Sequence, residues 1–330
     1  MTGMDRQRVF PVLVAALLLA LWPLATGSFG VDLVTKTMVY AIFALSLELL
    51  VGTTGLVCFG QAAFFGLAGY TAVLLSPKGT APSLWWLLPA AMAVAALYAL
   101  FMGALSLRTR GVYFIMVTLA FAQMAYYVIH DTPLGGGTDG IYLYVKPVAA
   151  IGPLVLLDTD RPIAFYYFVL ACLAAVFGFL ALLRRSHFGR ALAGIKANEQ
   201  RMRATGFSTY PYKLAAFVIS GAIAGLAGFL FGVKDGFVNP ELLSWHLSGA
   251  VLIMIILGGL GHLRGAVIGA FAFALLQELF KSEAVFGPFA KHWLLGLGLA
   301  IIVSVALLPR GLIGLTELWK LRARLARPAP

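Results

Sequence analysis

Charge is scarce in this 330-residue chain: Asp, Glu, Lys and Arg together make up 11% of it, where soluble domains carry about a quarter. Acidic residues are rarest, 13 against 24 basic ones, which leaves a net charge of +11. The two cysteines, Cys58 and Cys172, both lie inside apolar runs and read as small buried hydrophobes, not as a disulfide or a metal pair. Glycine is never followed by lysine. A phosphate loop of the form G-x-x-x-x-G-K-[ST] is therefore absent, and the Gly-rich "LGGGTDG" at 134–140 also lacks the lysine that would reach a phosphate. The five histidines, at 130, 187, 246, 262 and 292, form no H-E-x-x-H or other ligand pair, so no metal site is expected. Energy for any work must come from another polypeptide or from an ion gradient.

What the chain has instead is apolar surface: 61% of its residues are hydrophobic and its mean hydropathy is +0.94. Apolar runs of roughly 20 residues are long enough to cross a hydrocarbon core as helices, and their continuity, without alternation, excludes a membrane barrel. Ten such runs are expected, at 9–26, 37–52, 56–75, 84–106, 111–130, 163–183, 214–233, 247–260, 265–280 and 292–308. The basic residues test that count. With the N-terminus inside, alternate connections collect 17 of the 24 basic residues and three acids, Asp5, Glu199 and Glu317, while the other side holds seven basic and eight acidic residues. A Lys and Arg excess on one side orients helices, so the expected fold is all-α and polytopic, with about ten membrane helices and both termini cytoplasmic. Residues 1–330 read as one membrane domain, with an outer loop at 131–162 and a cytoplasmic loop at 184–213. Arg6 and Arg8 before an apolar run imitate a signal peptide, but the run is nearly a full span, and an uncleaved first helix is expected. The charges sit between spans without an aromatic platform or recognition helix, which argues for topology and against nucleic acid.

Close helix packing in lipid relies on small residues. "SGAIAGLAGFLFG" puts Ser220, Ala224, Gly228 and Gly232 on one ridge with Gly221 and Gly225 beside it, and "GHLRGAVIG" spaces Gly261, Gly265 and Gly269 by four. All are expected at helix seams. So much close packing suits a protein that rearranges helices around a path.

The longest polar run, "RRSHFGRALAGIKANEQRMRATGFSTYPYK" at 184–213, carries seven basic residues and one acid. Phe188, Leu192, Ile195 and Met202 recur at near-helical spacing, which predicts one short amphipathic helix over 188–204, stopped by Gly206. It either lies on anionic membrane lipid or docks a soluble partner. The stretch from Gly189 to Gly228 resembles the cytoplasmic coupling loop and following helix of the LivM-type permease subunits of branched-chain amino acid ATP-binding cassette (ABC) importers. "GLVCFGQAAFFGLAGYTAVL" (55–74), "LRTRGVYFIMVTLAFAQM" (107–124), "GGTDG" (136–140), the run from Gly236 to Ala270 and "LLPRGLIGL" (307–315) extend the likeness over most of residues 37–315. Ala250 stands where many relatives carry an acid, which removes any inherited role for that acid here.

The resemblance implies a path-forming subunit in the bacterial inner membrane, paired with a second, LivH-like permease. It also implies two cytoplasmic ATPases, which hold the ATP and magnesium, no cofactor on this chain, and a periplasmic amino-acid-binding protein. It makes Gly189, Arg190, Leu192, Ile195, Lys196, Glu199, Arg203, Ala204 and Gly206 the ATPase-coupling residues. Polar residues within spans, Glu48, Gln61, Thr118 and Gln123, are candidates for the path, with hydrogen bonding between helices as the competing role for each. Glu278 beside Lys281 reads as interfacial and solvated. Urea, short amides or aromatic acids are the alternative cargo, and a gradient-driven carrier is the alternative mechanism. No catalytic constellation supports a membrane enzyme.

Overall fold

The structure is a computed structural model and describes residues 3–77, 79, 81–151, 154–308 and 310–314. Its helices are α1 (Gly3–Ala25), α2 (Ser28–Glu48, continued by a π-helical turn over Leu49–Thr54), α3 (Gln61–Leu74), α4 (Leu84–Ser106), α5 (Val112–Asp131) and α6 (Pro162–Arg185). There follow α7 (His187–Ala197), α8 (Glu199–Ala204), α9 (Thr209–Asp235), α10 (Trp245–Gly258), α11 (Leu263–Lys281), α12 (Glu283–Phe286) and α13 (Trp293–Leu307). Among the described residues seven helices are long and apolar enough to cross a membrane, and Val14–Ala25, Gln61–Leu74 and Trp245–Gly258 are shorter apolar stretches. Each of the ten expected runs falls on a helix. The basic tail after Gly314, and with it the C-terminal half of the topology argument, lies outside the described residues.

Burial divides the helices into two populations. The best apolar window of Ser28–Thr54 is 89% buried and that of Thr209–Asp235 is 72% buried, whereas the other five spans range from 33% down to 6%. α2 and α9 are the axis of the bundle, touching each other and, between them, α3, α4, α6, α10 and α11. The remaining faces present large apolar side chains outward, among them Leu97, Phe101, Met116, Leu182, Leu275 and Ile302, as a lipid-facing surface should.

Small residues let the axis form. A Cβ at Gly228 would run into the carbonyl of Phe65 on α3, one at Gly221 into Ala99 and one at Gly225 into Ala95, both on α4. Gly265 and Gly269 meet the backbone of α10 in the same way. Gly261 differs from expectation: it sits in the α10–α11 turn with φ +84° and open space beside it, so it serves the turn and not a seam.

Two other expectations need correction. The second helix begins at Ser28, nine residues before the apolar run, and its added turns carry Asp32, paired with Lys234 of α9 at 2.9 Å. The third begins at Gln61 instead of residue 56, since Gly55 at φ +75° takes the chain out of α2, and 55–60 crosses to α3 without helix. The fold is all-α as expected, with a few short strands at its outer end. The outer loop contains β1 (Ile141–Tyr142), β2 (Val148–Ile151) and β3 (Leu154–Asp158); β2 and β3 form an antiparallel hairpin, and β1 pairs with β4 (Phe237–Val238) after α9.

Proline inside a membrane helix leaves a carbonyl four residues earlier without its donor. In α1, Pro23 frees the carbonyl of Leu19, and the hydroxyl of Tyr166 on α6 donates to it at 2.6 Å, with Tyr167 donating to Ala20 at 3.0 Å. A peripheral helix is thereby tied to the bundle through its own defect.

Candidate functional site

Two polar regions stand out, one within the bundle and one on its basic end. In the first, Gln61 at the start of α3 donates through Nε2 to Ser46 Oγ of α2 at 2.8 Å and to Ser220 Oγ of α9 at 2.9 Å. Ser220 in turn donates to the carbonyl of Ser46 at 2.6 Å, and Ser248 of α10 accepts from the backbone N–H of Ala62 at 2.9 Å. Four helices meet at the open N-terminus of α3, where unpaired N–H groups need acceptors. Thr118 of α5 accepts from the N–H of Phe59 in the crossing segment at 3.3 Å. Gln61 and Thr118 are both fully buried, while Gln123 is half-buried on the same helix as Thr118. Ser46, Ser220 and Ser248 were not among the residues singled out from sequence as polar, because serine in an apolar run reads as one more small residue.

The second region is the segment between α6 and α9. It was expected to be one helix and is two. Asn198, with extended backbone, ends α7 and caps α8 by accepting from the N–H of Arg201 at 2.9 Å, so a new helix axis starts there. Ser186 caps α7, accepting from Gly189 N–H at 3.3 Å, and any side chain at Gly189 would collide with the end of α6. The segment stops at Gly206, whose φ of +86° a residue with a side chain rarely adopts.

The apolar face of this segment is spent inside the chain. Leu192 and Ile195 are buried at 0% and 3% exposure, Phe188 stacks on Tyr212, and Met202 packs on Gly194. Glu199 also turns inward: its carboxylate accepts from Lys213 at 2.6 Å, from Arg203 at 2.7 Å and from the hydroxyl of Thr209 at 2.9 Å. Partial burial pushes this carboxyl up, but the bonds from Lys213 and Thr209 and the two cations prevail and hold it at about 2. Exposed on the segment are, among others, Arg190, Lys196, Asn198, Gln200, Arg201, Arg203 and Ala204. Beside them a cleft of about 550 Å³ opens between the α4–α5 turn and α7–α8, with Arg110, Thr54, Ile195 and Asn198 in its wall.

Lys196 links the two regions. Its Nζ donates to the carbonyls of Gly52 at 2.8 Å and Val51 at 3.4 Å, the unsatisfied C-terminal end of α2's π-helical turn. Arg184, in the last turn of α6 just before α7, donates to the carbonyl of Gly261 in the α10–α11 turn at 2.8 Å. Between them lies Glu48, 1% exposed, with no hydrogen-bond donor on either carboxylate oxygen among the described residues.

Residues 29–306 match the family described as "Branched-chain amino acid transport system / permease component". The chain belongs to that family. It is 31% identical over 94% of its length to the high-affinity branched-chain amino acid transport system permease protein LivM of Escherichia coli K12, covering 76% of that protein. Against the LivM of Salmonella typhimurium the identity is 30%, with the same coverage of both chains. Among solved structures, PsaBC from Streptococcus pneumoniae in complex with Fab aligns with a TM-score of 0.44 at 13% identity, over 86% of this chain and 92% of that one. The protein is thus a transporter subunit and not an enzyme, a multi-pass component of the bacterial inner membrane that works in a complex with a partner permease and ATPases.

Proposed function

We propose that the chain forms half of the path of an ABC importer for branched-chain, hydrophobic amino acids, and that α7–α8 is where a separate cytoplasmic ATPase acts on it. The observation that carries this reading is the division of labour within α7–α8: its apolar side, Leu192 and Ile195, grips the bundle, and its exposed polar side carries Arg190, Arg201, Arg203 and Ala204. A helix lying on lipid would keep its apolar face for the membrane. The whole segment 184–213 is then the cytoplasmic coupling loop and 131–162 the periplasmic one. Gly189, Leu192, Ile195 and Lys196 act by seating the helix, Glu199 by holding α8 against the start of α9, and Gly206 by ending it. The second permease is a LivH-like paralogue, a periplasmic binding protein delivers the amino acid, and ATP with its magnesium resides on the ATPases.

The reading is tested by purifying the tagged chain from its native membrane and reconstituting what comes with it. Two ATPases and a second permease should co-purify, and the vesicles should take up leucine on ATP and keep doing so in the presence of an uncoupler. Uptake that collapses with the uncoupler and ignores ATP would instead support a gradient-driven carrier, and uptake of urea or an aromatic acid in place of leucine would reassign the cargo. Replacing Ala204 and Gly206 together with bulky residues should reduce ATP-driven uptake at least about tenfold, the scale of a lost docking contact; undiminished transport would count against α7–α8 as the docking element.

A further inference from the structure

Glu48 is a deeply buried carboxylate that the reading above leaves without a task. A charge at such depth costs about 2.5–3.5 kcal/mol on insertion scales, so it must be offset by a partner at some stage of the protein's work. Its position is unusual in a specific way. The carboxyl rests on Gly52, one turn further along α2, where any Cβ would collide with Oε1. The ammonium of Lys196 is bonded to the carbonyl of that same glycine at 2.8 Å. Cation and anion therefore share Gly52 yet make no ion pair. The charge of Arg184, in the last turn of α6, also acts on Glu48 while its own hydrogen bond goes to Gly261.

We propose that Glu48 is a positioning residue of the transport cycle: when α7 is displaced, Lys196 passes from the Gly52 carbonyl onto the Glu48 carboxylate, so that α7 stays fastened to α2 in both arrangements. A two-state element needs favourable contacts in each of its states. The carbonyl contacts supply those of the present one, and Glu48 supplies the other. Because Ser28–Thr54, which contains α2, is the most buried of the seven long spans and α2 touches α6, α9, α10 and α11, a displacement delivered there reaches most of the bundle. The π-helical turn at Leu49–Thr54 fits this role, since such turns are local departures from the α-helix that often mark functional positions. The inference rests on α7 being the element the ATPases move.

The test is a double-mutant cycle in the reconstituted assembly, with Glu48→Gln, Lys196→Met and both together, reading uptake of the probe solute that the wild-type vesicles carry, per ATP hydrolysed. Each single change should lower that ratio about tenfold and the pair no further, as for residues in direct contact. In Glu48→Gln, basal ATP hydrolysis and assembly yield, which a merely structural defect would lower, should be unchanged. Glu48→Gln with a ratio within about twofold of wild type, or a pair whose loss is the product of the singles, about a hundredfold, overturns the proposal. Should Glu48→Gln fail to accumulate, Glu48→Asp, which keeps the charge and withdraws it by one methylene, takes its place with the same two readings. An assembly without ATPases would remove the functional reading itself; an assembly that hydrolyses ATP and transports normally with Glu48→Gln removes only this inference.

Discussion

Ser46 and Glu48 stand two residues apart on the same buried helix and have opposite fates. Ser46 belongs to a knot in which its hydroxyl and carbonyl bond to Gln61 and Ser220 across three helices, with Gln61 Oε1 left over, while neither oxygen of Glu48 has a donor among the described residues. The knot is what a fixed joint looks like: short neutral bonds and fully buried partners. The carboxylate, with two cations nearby that are bonded elsewhere, is what a joint between two positions looks like. The difference separates the part of the bundle that holds from the part that moves.

The comparison can be broken most severely at the joint's floor. Gly228→Leu would force α9 off the carbonyl of Phe65, and no side chain can yield there; folded protein recovered in detergent should fall below detection by size-exclusion chromatography. Gln61→Leu removes two bonds but leaves Ser46 and Ser220 bonded to each other, so its cost should be about 1–2 kcal/mol, visible as a lowered thermal midpoint with transport by the surviving protein intact. A large transport defect without a stability change would move Gln61 from the fixed joint to the path.

The smallest effect concerns α8. The Glu199 carboxyl is held at about 2, below the ordinary value of about 4.3 for glutamate. A depressed carboxyl contributes its stabilisation fully above the ordinary value and loses it as pH falls toward the depressed one. Limited proteolysis at Arg201 should therefore accelerate as pH drops from about 5 toward 2, and Glu199→Gln should cleave faster at neutral pH and respond less to acid. An unchanged profile in the variant would show that Lys213 and Arg203 do not hold α8 through this carboxylate.

Much of this architecture is legible in the sequence. The apolar runs mark the helices because length and hydropathy suffice, and the four-residue spacing of small residues marks α9 as a packed axis. The break at Asn198 was not legible: Leu192, Ile195 and Met202 keep a helical rhythm straight through it, and the capping bond that restarts the helix is a matter of one side chain's rotamer. The bonds of Glu199 and Lys196 were not legible either, because nothing local shows that Lys213, fourteen residues on, and Gly52, far upstream, lie within reach. The Glu48 site could be suspected from a lone acid in an apolar run. Its two cations come from the last turns of α6 and α7, more than a hundred residues later, which only the fold brings together.

The central claim is that α7–α8 is gripped from outside the chain at its exposed polar face. A photo-reactive residue in place of Gln200 or Arg201, activated in native membranes, tests it directly. The account predicts a single crosslinked product containing an ATPase, its yield changing when nucleotide is added. Crosslinks to lipid alone, or labelling of these positions by an impermeant reagent from the periplasmic side, would contradict it.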